Sequence, residues 1–559
     1  MRGYKYLASA AGLVVVGLLA TACGTTPSPS ASSTGDPGGS TAPTASGPAE
    51  ITINGCTPEN PLIPGNTSEV CGGNVIDAFA AKLVHYNSDT AEPEMDIASA
   101  IETTDNQTFT VKLNPGYKFH DGTEVKAKNF VDAWNYTANG KNGYAGGYFM
   151  SMIEGWDQVQ CGYDDAGDPD CTGKPPAAET MSGLAVVDDT TFTIKTTEKV
   201  SNLPVRLGYS AFAPMPDSFF ADPKAYEAKP IGAGPFQLTS KTDTEMVLEK
   251  FADYSGKNVP SVDKVTFKIY TDGAAAYADV VANNLDIMDM IPNDQLVGDL
   301  YKSDLPDRNA QLETGSLRWI TYSPADEQLK NNVDLRKAIS MAIDRQAIVD
   351  QVLSGAGLPA ASWVSPAVDG YLGDTCGEAC VFDAAKAKAL YDKAGGYKGT
   401  LTYTTNTTEN PVNQAIGEAI VNQLKNNLGI DAAFNSAGDF ATFNKGIDAG
   451  EYQGIFRSGW QMDYPSIENF LAPIYAKGAD SNWSKYDNPE FMKLLTEAAA
   501  APAGAESNAK YQEAEKLLAQ DFPTAPLTFA KTTIGWSDRL QPVKITPFGT
   551  PDLLSVKLK

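Results

Sequence analysis

The most restrictive feature of this sequence is a run of alternating strand and helix patterns between residues 401 and 457. Short strand-like segments alternate with longer stretches whose apolar residues recur at the spacing of one helix face. The predicted strands cover 401–404, 430–434 and 452–457, and the predicted helices cover 411–428 and 440–449. Strand, helix, strand, helix, strand is the order of a parallel sheet with right-handed crossovers. We therefore expect an α/β fold here.

A polar cluster follows the third predicted strand. From Arg457 to Glu468 the chain reads Arg-Ser-Gly-Trp-Gln-Met-Asp-Tyr-Pro-Ser-Ile-Glu, and the Pro-Ser pair predicts a turn. The carboxyl ends of parallel strands open into the crevice where such sheets bind ligands. We expect Trp460 and Asp463 to lie on this side of the sheet and to hold a solute there.

Both residues have a competing structural role. A carboxylate such as Asp463 in a closing cleft needs a cation to offset its lost hydration, and Arg457 is the obvious internal candidate. Trp460 offers a flat apolar wall to a ligand, but a tryptophan at this point is also suited to core packing. The residues alone leave these alternatives open.

Length and charge limit the class of protein. A chain of 559 residues is too long for one core and predicts two to four lobes. The formal net charge is −26, and no dense run of lysine and arginine occurs. We therefore expect no nucleic-acid partner, because binding phosphates requires clustered positive charge. The acidity is typical of a well-solvated secreted surface, with steering of cationic ligands as the alternative.

Six of the seven cysteines lie in three pairs that are close in sequence. We predict three disulfides and an oxidising compartment. The expected pairs are Cys56 with Cys71, Cys161 with Cys171, and Cys376 with Cys380. Zinc binding is the competing interpretation, but the chain has only two histidines and no Cys-x-x-Cys. We expect no metal site.

The N-terminus has the pattern of an export signal. Residues 1–22 combine a positively charged start with an apolar run from 7 to 20 that is too short to span a bilayer. The following Thr-Ala-Cys-Gly resembles a bacterial lipoprotein box, in which Cys23 would carry the diacylglycerol anchor. Ala20 departs from the usual leucine, and cleavage to an unanchored protein is the alternative.

The segment after Cys23 predicts a tether. Residues 24–48 are almost entirely Ser, Thr, Pro, Gly and Ala, so they cannot bury enough apolar surface to fold. We predict a disordered, lipid-anchored tether over 23–49, with a mean end-to-end length of roughly 25–30 Å. The folded body would begin at Glu50.

Four further motifs occur between this point and the C-terminus. They are the strand–turn–helix segment 107–134, which contains Phe-His-Asp-Gly; Pro-Ile-Gly-Ala-Gly-Pro-Phe at 230–236; Val-Asp-Leu-Arg-Lys-Ala-Ile-Ser-Met-Ala-Ile-Asp-Arg at 333–345; and Gly-Trp-Gln-Met-Asp-Tyr-Pro at 459–465. In this order they resemble the extracellular solute-binding proteins of family 5, the oligopeptide- and dipeptide-binding proteins of ABC importers. The resemblance covers the chain from about residue 50 to its end. In the 333–345 motif we expect a buried helix, with Arg336 and Arg345 in ion pairs.

The resemblance implies the architecture. It indicates a periplasmic-binding-protein-like fold, in which two α/β lobes are joined by hinge strands and an additional domain occurs in the N-terminal half. The implied boundaries are 50–84, 183–312 and 533–559 for lobe I, 85–182 for domain II, and 313–532 for lobe III. The solute would bind in the cleft between lobes I and III, which would close by a hinge motion.

The resemblance also implies the ligand chemistry. Asp463 takes the place of the aspartate that binds the N-terminal ammonium of a peptide, and Arg457 that of an arginine near the ligand's carboxylate end. For Arg457 a scaffold ion pair remains the alternative. The expected partners are a peptide and the transmembrane subunits of an ABC permease, and the expected location is the extracytoplasmic face of the membrane, with the protein as a monomer.

No enzymatic motif is present. The chain lacks His-Glu-x-x-His, Gly-x-Ser-x-Gly and a Walker A loop. We expect a binding protein that is not an enzyme and needs no cofactor. Two alternatives remain. One is the same transport role with an oligosaccharide or another small solute, although the scarcity of histidine disfavours nickel complexes. The other is a surface receptor that senses peptides without supporting their transport.

Overall fold

A computed structural model describes residues 48–164, 169–408 and 411–559. The predicted signal peptide, Cys23 and the tether up to residue 47 lie outside the described residues. In the part of the chain that is described, no helix combines the length and apolar character needed to cross a membrane.

The strands fall into three sheets. In chain order they are β1 Glu50–Gly55, β2 Val84–Tyr86, β3 Pro93–Met95, β4 Ala98–Thr103, β5 Thr108–Leu113, β6 Leu184–Asp188, β7 Thr191–Lys195, β8 Phe236–Lys241, β9 Glu245–Lys250, β10 Lys264–Ile269, β11 Ile287–Met288, β12 Asn309–Tyr322, β13 Gly357–Pro359, β14 Leu401–Thr405, β15 Ala432–Ser436, β16 Ile455–Gln461 and β17 Thr524–Trp536.

The α-helices cover the sheets and connect the strands. They are α1 Val70–Phe79, α2 Ala127–Ala138, α3 Leu203–Arg206, α4 Asp217–Ala221, α5 Pro223–Ala228, α6 Gly273–Val281, α7 Asn293–Leu296, α8 Leu300–Asp304, α9 Glu327–Lys330, α10 Val333–Met341, α11 Arg345–Gln351, α12 Ala384–Lys393, α13 Pro411–Leu428, α14 Phe440–Asp448, α15 Glu468–Tyr475, α16 Pro489–Ala500 and α17 Ala505–Asp521.

One large sheet runs through most of the folded body. Its strand order is β15-β14-β16-β12-β17-β11-β1-β10-β9-β8, and β13 pairs with β17 beside this path. A separate four-stranded antiparallel sheet has the order β4-β5-β7-β6, and β2 pairs with β3. The large sheet is therefore shared by the segments that carry the N-terminus, the C-terminus and the 401–461 region.

The long strands β12 and β17 connect the two halves of the large sheet. They pair antiparallel, but the register is interrupted between Glu313 and Leu317. At one end β17 pairs with β11, and at the other β12 pairs with β16. Within the interruption, the backbone N–H of Gly315 donates to the carbonyl of Pro547. Both strands cross from one half of the large sheet to the other, and their pairing is interrupted at the same point. This is the geometry of a hinge.

Separate apolar cores lie on either side of these strands. The largest core is built from residues between Leu317 and Phe529, and a second from residues between Ile63 and Ala233. A third core combines both ends of the chain, since Ile51 and Val556 belong to it. The second core also takes residues from outside the segment 85–182 that the resemblance gives to domain II.

The alternating region forms the predicted parallel unit. β14 pairs in parallel with both β15 and β16, with α13 and α14 as the crossovers. Several strand boundaries were wrong: the second strand covers Ala432–Ser436 and not 430–434, and the third covers Ile455–Gln461 and not 452–457, so Trp460 lies inside it. Pairing with β12 supplies partners for these additional residues, because Gln461 lies opposite Ser316.

The cysteine predictions are confirmed. Disulfides join Cys56 to Cys71, Cys161 to Cys171 and Cys376 to Cys380. A cysteine in a disulfide has no thiolate to offer a metal, so the six residues are not a zinc site.

The expected ion pairs of the 333–345 motif are wrong. Arg336 donates to the backbone carbonyls of Phe522, Leu329, Lys330 and Asp521. Arg345 donates to the carbonyls of Pro526, Ser340 and Ile343 and to the Ser340 hydroxyl. Carbonyls at helix and loop ends satisfy these guanidinium groups, because the fold brings otherwise unpaired acceptors to them.

Candidate ligand-binding site

The three residues expected to contact the solute lie on or directly after β16. This strand lies between β14 and β12, next to the hinge strands. Arg457 and Trp460 belong to β16, and Asp463 follows its last residue by two positions. All three are partly exposed. The structure thus places them in one row beside the crossing between the halves.

Asn469 organises the end of this row. Its fully buried side chain accepts hydrogen bonds through Oδ1 from Trp460 Nε1 at 3.1 Å and from the Asp463 backbone N–H at 2.9 Å. Its Nδ2 donates to Asp463 Oδ2 at 3.1 Å. One amide therefore fixes the indole and the carboxylate together. Asn469 was absent from the sequence prediction, and an asparagine in the first turn of α15 carries no pattern that would reveal this role.

Burial shifts the titration of Asp463. The pKa of this carboxyl is raised from 3.8 to about 6, mainly by burial and to a smaller extent by the charge of Glu468, while the Asn469 hydrogen bond and Arg206 act in the opposite direction. Within the described residues Asp463 forms no ion pair. A carboxylate that is costly to ionise and has only a neutral amide partner is suited to receive a cation.

Two tyrosines from the N-terminal half of the chain lie close enough to Asp463 for its charge to shift their pKa values. Burial raises the pKa of the Tyr148 and Tyr209 hydroxyls, and the Asp463 carboxylate raises both further. Both rings contact Phe149 in tilted arrangements, each with a centroid separation of 4.2 Å. Tyr148 is nevertheless 52% exposed. Asp463 thus faces an aromatic wall that the sequence did not indicate.

An ion pair crosses between the halves beside Asp463. Arg206 Nη2 lies 3.1 Å from Glu468 Oε2. The same oxygen accepts hydrogen bonds from Asn202 Nδ2 at 2.9 Å and from the Tyr464 hydroxyl at 2.8 Å. The Arg206 guanidinium also lies 5.1 Å from the centroid of the Tyr464 ring. This cluster holds residues near 202–206 against the start of α15, so the two sides of the cleft are joined there.

Arg457 does not pair with Asp463. Its Nη1 donates a long hydrogen bond of 3.5 Å to Asn406 Oδ1, and its Nε is buried without a partner. Its guanidinium carbon lies 5.9 Å from the centroid of the Phe440 ring. Within the described residues no carboxylate is in ion-pair contact with Arg457, and this part of the chain forms no scaffold ion pair with it.

A larger cavity lies elsewhere along the hinge strands. It has a volume of about 540 Å³ and is lined by Asp89, Glu92, Glu313, Asp369 and Lys531, among others. None of the three expected residues contributes to it. We base the site on Asp463 because buried, incompletely paired polar groups indicate a ligand more directly than the size of an open, acidic cavity does.

The fold and the site define a class of protein. Two α/β halves joined by hinge strands, with charged and aromatic groups facing each other across the junction, are the features of a periplasmic-binding-protein-like receptor with an additional domain. The chain belongs to the bacterial extracellular solute-binding proteins, family 5, whose profile matches residues 92–482. It is a binding protein and not an enzyme. The expected fold class and family are confirmed.

Named relatives and a solved structure agree with this membership. The chain is 25% identical to the oligopeptide-binding protein OppA of Bacillus subtilis over 504 residues, covering 87% of this chain and 88% of that protein. It is 26% identical to the dipeptide-binding protein of Escherichia coli over 481 residues, with coverages of 81% and 83%. The unliganded open form of the periplasmic murein tripeptide-binding protein MppA superposes with a TM-score of 0.77 at 22% identity, covering 92% of this chain and 99% of that one.

Proposed function

We propose that this chain is a lipid-anchored receptor that captures oligopeptides or dipeptides in the interlobe cleft and delivers them to an ABC permease. The observation that carries the proposal is Asp463, a partly exposed carboxylate that accepts a hydrogen bond from Asn469 and whose pKa is raised to about 6. The N-terminal ammonium of a peptide supplies the missing positive charge and three donors. The names of relatives that bind oligopeptides and dipeptides support this choice of solute.

The remaining groups of the row suit the rest of a peptide. Trp460, held by Asn469, offers an apolar surface beside the ammonium site. Arg457, farther back along β16 and without an ion pair in the described structure, is available to a ligand carboxylate. A peptide has opposite charges at its two ends, and these residues offer the complementary charges in order along one strand.

The proposal includes location and organisation. Cys23 would carry the lipid and 23–49 would hold the body outside the cytoplasmic membrane, where a monomer would meet the permease subunits. Lobe I would comprise 50–84, 183–312 and 533–559, with domain II at 85–182 and lobe III at 313–532. The separate core built from residues between Leu317 and Phe529 supports the third lobe. Three disulfides are in keeping with an oxidising compartment.

The central test uses the N-terminal charge of the ligand. Asp463→Ala should weaken binding of a peptide with a free N-terminus by about 2–5 kcal/mol, since a charged partner is lost, and should affect the N-acetylated peptide far less. Isothermal titration of both peptides with wild type and variant measures the difference. Lys425→Gln, an exposed change in the same half, is the control. Equal losses for both peptides would remove the ammonium-binding role.

Substrate class and transport need separate experiments. Mass spectrometry of copurified ligands, followed by thermal-shift screening of peptides and oligosaccharides, separates peptide from sugar, because a ligand at 100 times its dissociation constant stabilises by roughly 2.7 kcal/mol. Stabilisation by sugars alone would establish the alternative solute. Deletion of the gene should abolish import of the bound solute, and unchanged import would favour a sensing receptor.

A further inference from the structure

Two arginines project from the same face of neighbouring strands. In the β12–β16 pair, Arg318 lies opposite Gly459 and Arg457 lies opposite Ile320. Positions two apart on a strand share a face, so both arginines are on one side of the sheet. Gly459 leaves room between them: a Cβ at this position would lie 3.7 Å from Arg457 Nη2. The guanidinium group of Arg457 therefore extends over the glycine toward Arg318.

Neither arginine has a counter-charge in the described structure. Arg457 makes one long hydrogen bond to Asn406 and keeps a buried, unpaired Nε. Arg318 forms no side-chain hydrogen bond or ion pair with any described residue. Burial lowers the pKa of both guanidinium groups, and the charge of Arg457 lowers that of Arg318 further. Two cations are thus held close to each other at an electrostatic cost.

The other buried arginines of the described chain differ from Arg318 and Arg457, because acceptors surround their guanidinium groups. Arg336 and Arg345 are surrounded by carbonyl acceptors, and Arg206 pairs with Glu468. Removing an arginine from water is costly unless its donors are satisfied. Among the described residues this pair of arginines has one acceptor, Asn406 Oδ1 at 3.5 Å, whereas the other buried arginines are satisfied. This contrast indicates that the missing acceptors arrive with a ligand.

The surroundings of the pair favour anions. A small cavity of about 10 Å³ beside them is also lined by Tyr403, Asn413 and Ser458, and none of its described lining residues carries a carboxylate. This space holds about one water molecule, so a larger ligand must displace the flexible arginine side chains. Tyr403 is 2% exposed. Burial raises the pKa of its hydroxyl, and the nearby charges of both arginines lower this pKa by a smaller amount.

We propose that Arg318 and Arg457 form a two-cation site that binds two carboxylates of one ligand. This inference rests on the proposed peptide-receptor function and specifies its substrate class. A C-terminal carboxylate neutralises one guanidinium group and leaves the other unpaired. A glutamate or aspartate as the last residue of the peptide brings the second carboxylate, so the receptor prefers peptides with an acidic C-terminal residue.

The test compares three tripeptides on the full chain by isothermal titration. The peptides are Ala-Ala-Glu, Ala-Ala-Gln and the C-terminal amide of Ala-Ala-Glu, and the proteins are wild type, Arg318→Met and the control Lys425→Gln. Wild type should bind Ala-Ala-Glu about 10- to 100-fold more tightly than Ala-Ala-Gln, which is the range of one charge-assisted hydrogen bond. Arg318→Met should bind both with similar affinity, and the control should keep the preference.

A second measurement shows that Arg318→Met is folded. Because the variant removes a buried cation without a partner, its unliganded form should melt at the same temperature as wild type or higher. Equal affinity of wild type for the glutamate and glutamine peptides would overturn the two-cation site and leave the peptide-receptor function standing. Failure of all three peptides to bind would overturn that function, and this inference with it. A preference that survives in Arg318→Met would also refute the role of Arg318.

Discussion

Asp463→Asn should stabilise the unliganded protein while it weakens peptide binding. The structure gives the size of the effect. Burial raises the pKa of Asp463 from 3.8 to about 6. Each unit corresponds to about 1.36 kcal/mol, so ionising this carboxylate at neutral pH costs the fold about 3 kcal/mol. An asparagine has the same shape and can still accept the hydrogen bond from Asn469, but it carries no charge.

The sign of the pH dependence follows from the direction of the shift. Below about pH 3 the carboxyl is mostly protonated in both the folded and the unfolded chain, so wild type and variant should be almost equally stable. As the pH rises through about 6, the unfolded chain gains from ionisation and the folded chain does not gain as much. The advantage of Asp463→Asn should therefore appear between pH 4 and 6 and be complete above pH 7.

Urea unfolding at a series of pH values measures this advantage. The expected difference in the free energy of unfolding is at most about 3 kcal/mol at pH 8 and falls to near zero at about pH 2.5. Titration of a peptide with a free N-terminus should show a loss of similar size at pH 8. A variant less stable than wild type at pH 8 would refute the reasoning, because Asp463 would then have a cation within the fold.

Two further predictions concern the supports of this carboxylate. Glu468→Gln should destabilise the contact between the halves by about 3–5 kcal/mol, because it leaves Arg206 without its charged partner. A double-mutant cycle with Arg206→Met measures the coupling between the two residues, and additive effects would contradict the prediction. Asn469→Ala should weaken peptide binding at least about tenfold, because Trp460 and Asp463 both lose their shared hydrogen-bond partner. Titration calorimetry and tryptophan fluorescence check this result, and unchanged affinity would contradict it.

Sequence patterns predicted the parts of the fold that are set by residues close together in the chain. The strand and helix periodicity of 401–457 identified the parallel unit, and short separations of 15, 10 and 4 residues identified the disulfides. The end of β16 was missed because its last residues are paired by β12, which lies far away in the chain. Periodicity indicates which face of a segment is buried. It does not show which distant strand will pair with the segment and so lengthen it.

The site was predictable in part for a similar reason. Asp463 and Trp460 stood out because their motif is contiguous, whereas Asn202 and Glu468 meet across 266 positions. Arg318 gave no signal at all. Its role depends on the register that sets it opposite Gly459, and a single sequence does not encode register in a readable pattern. The ligand roles of Asp463, Trp460 and Arg457 remain predictions.

The core that joins Ile51 to Val556 has a consequence for how the chain is made. During synthesis β1 is made before its partners, so it must wait for β10, β11 and finally β17 before its part of the sheet is complete. The core between Leu317 and Phe529 is continuous in sequence and can form earlier. The first strand of the described chain is therefore among the last to complete its pairing, and loss of a few C-terminal residues should make it more accessible to proteases.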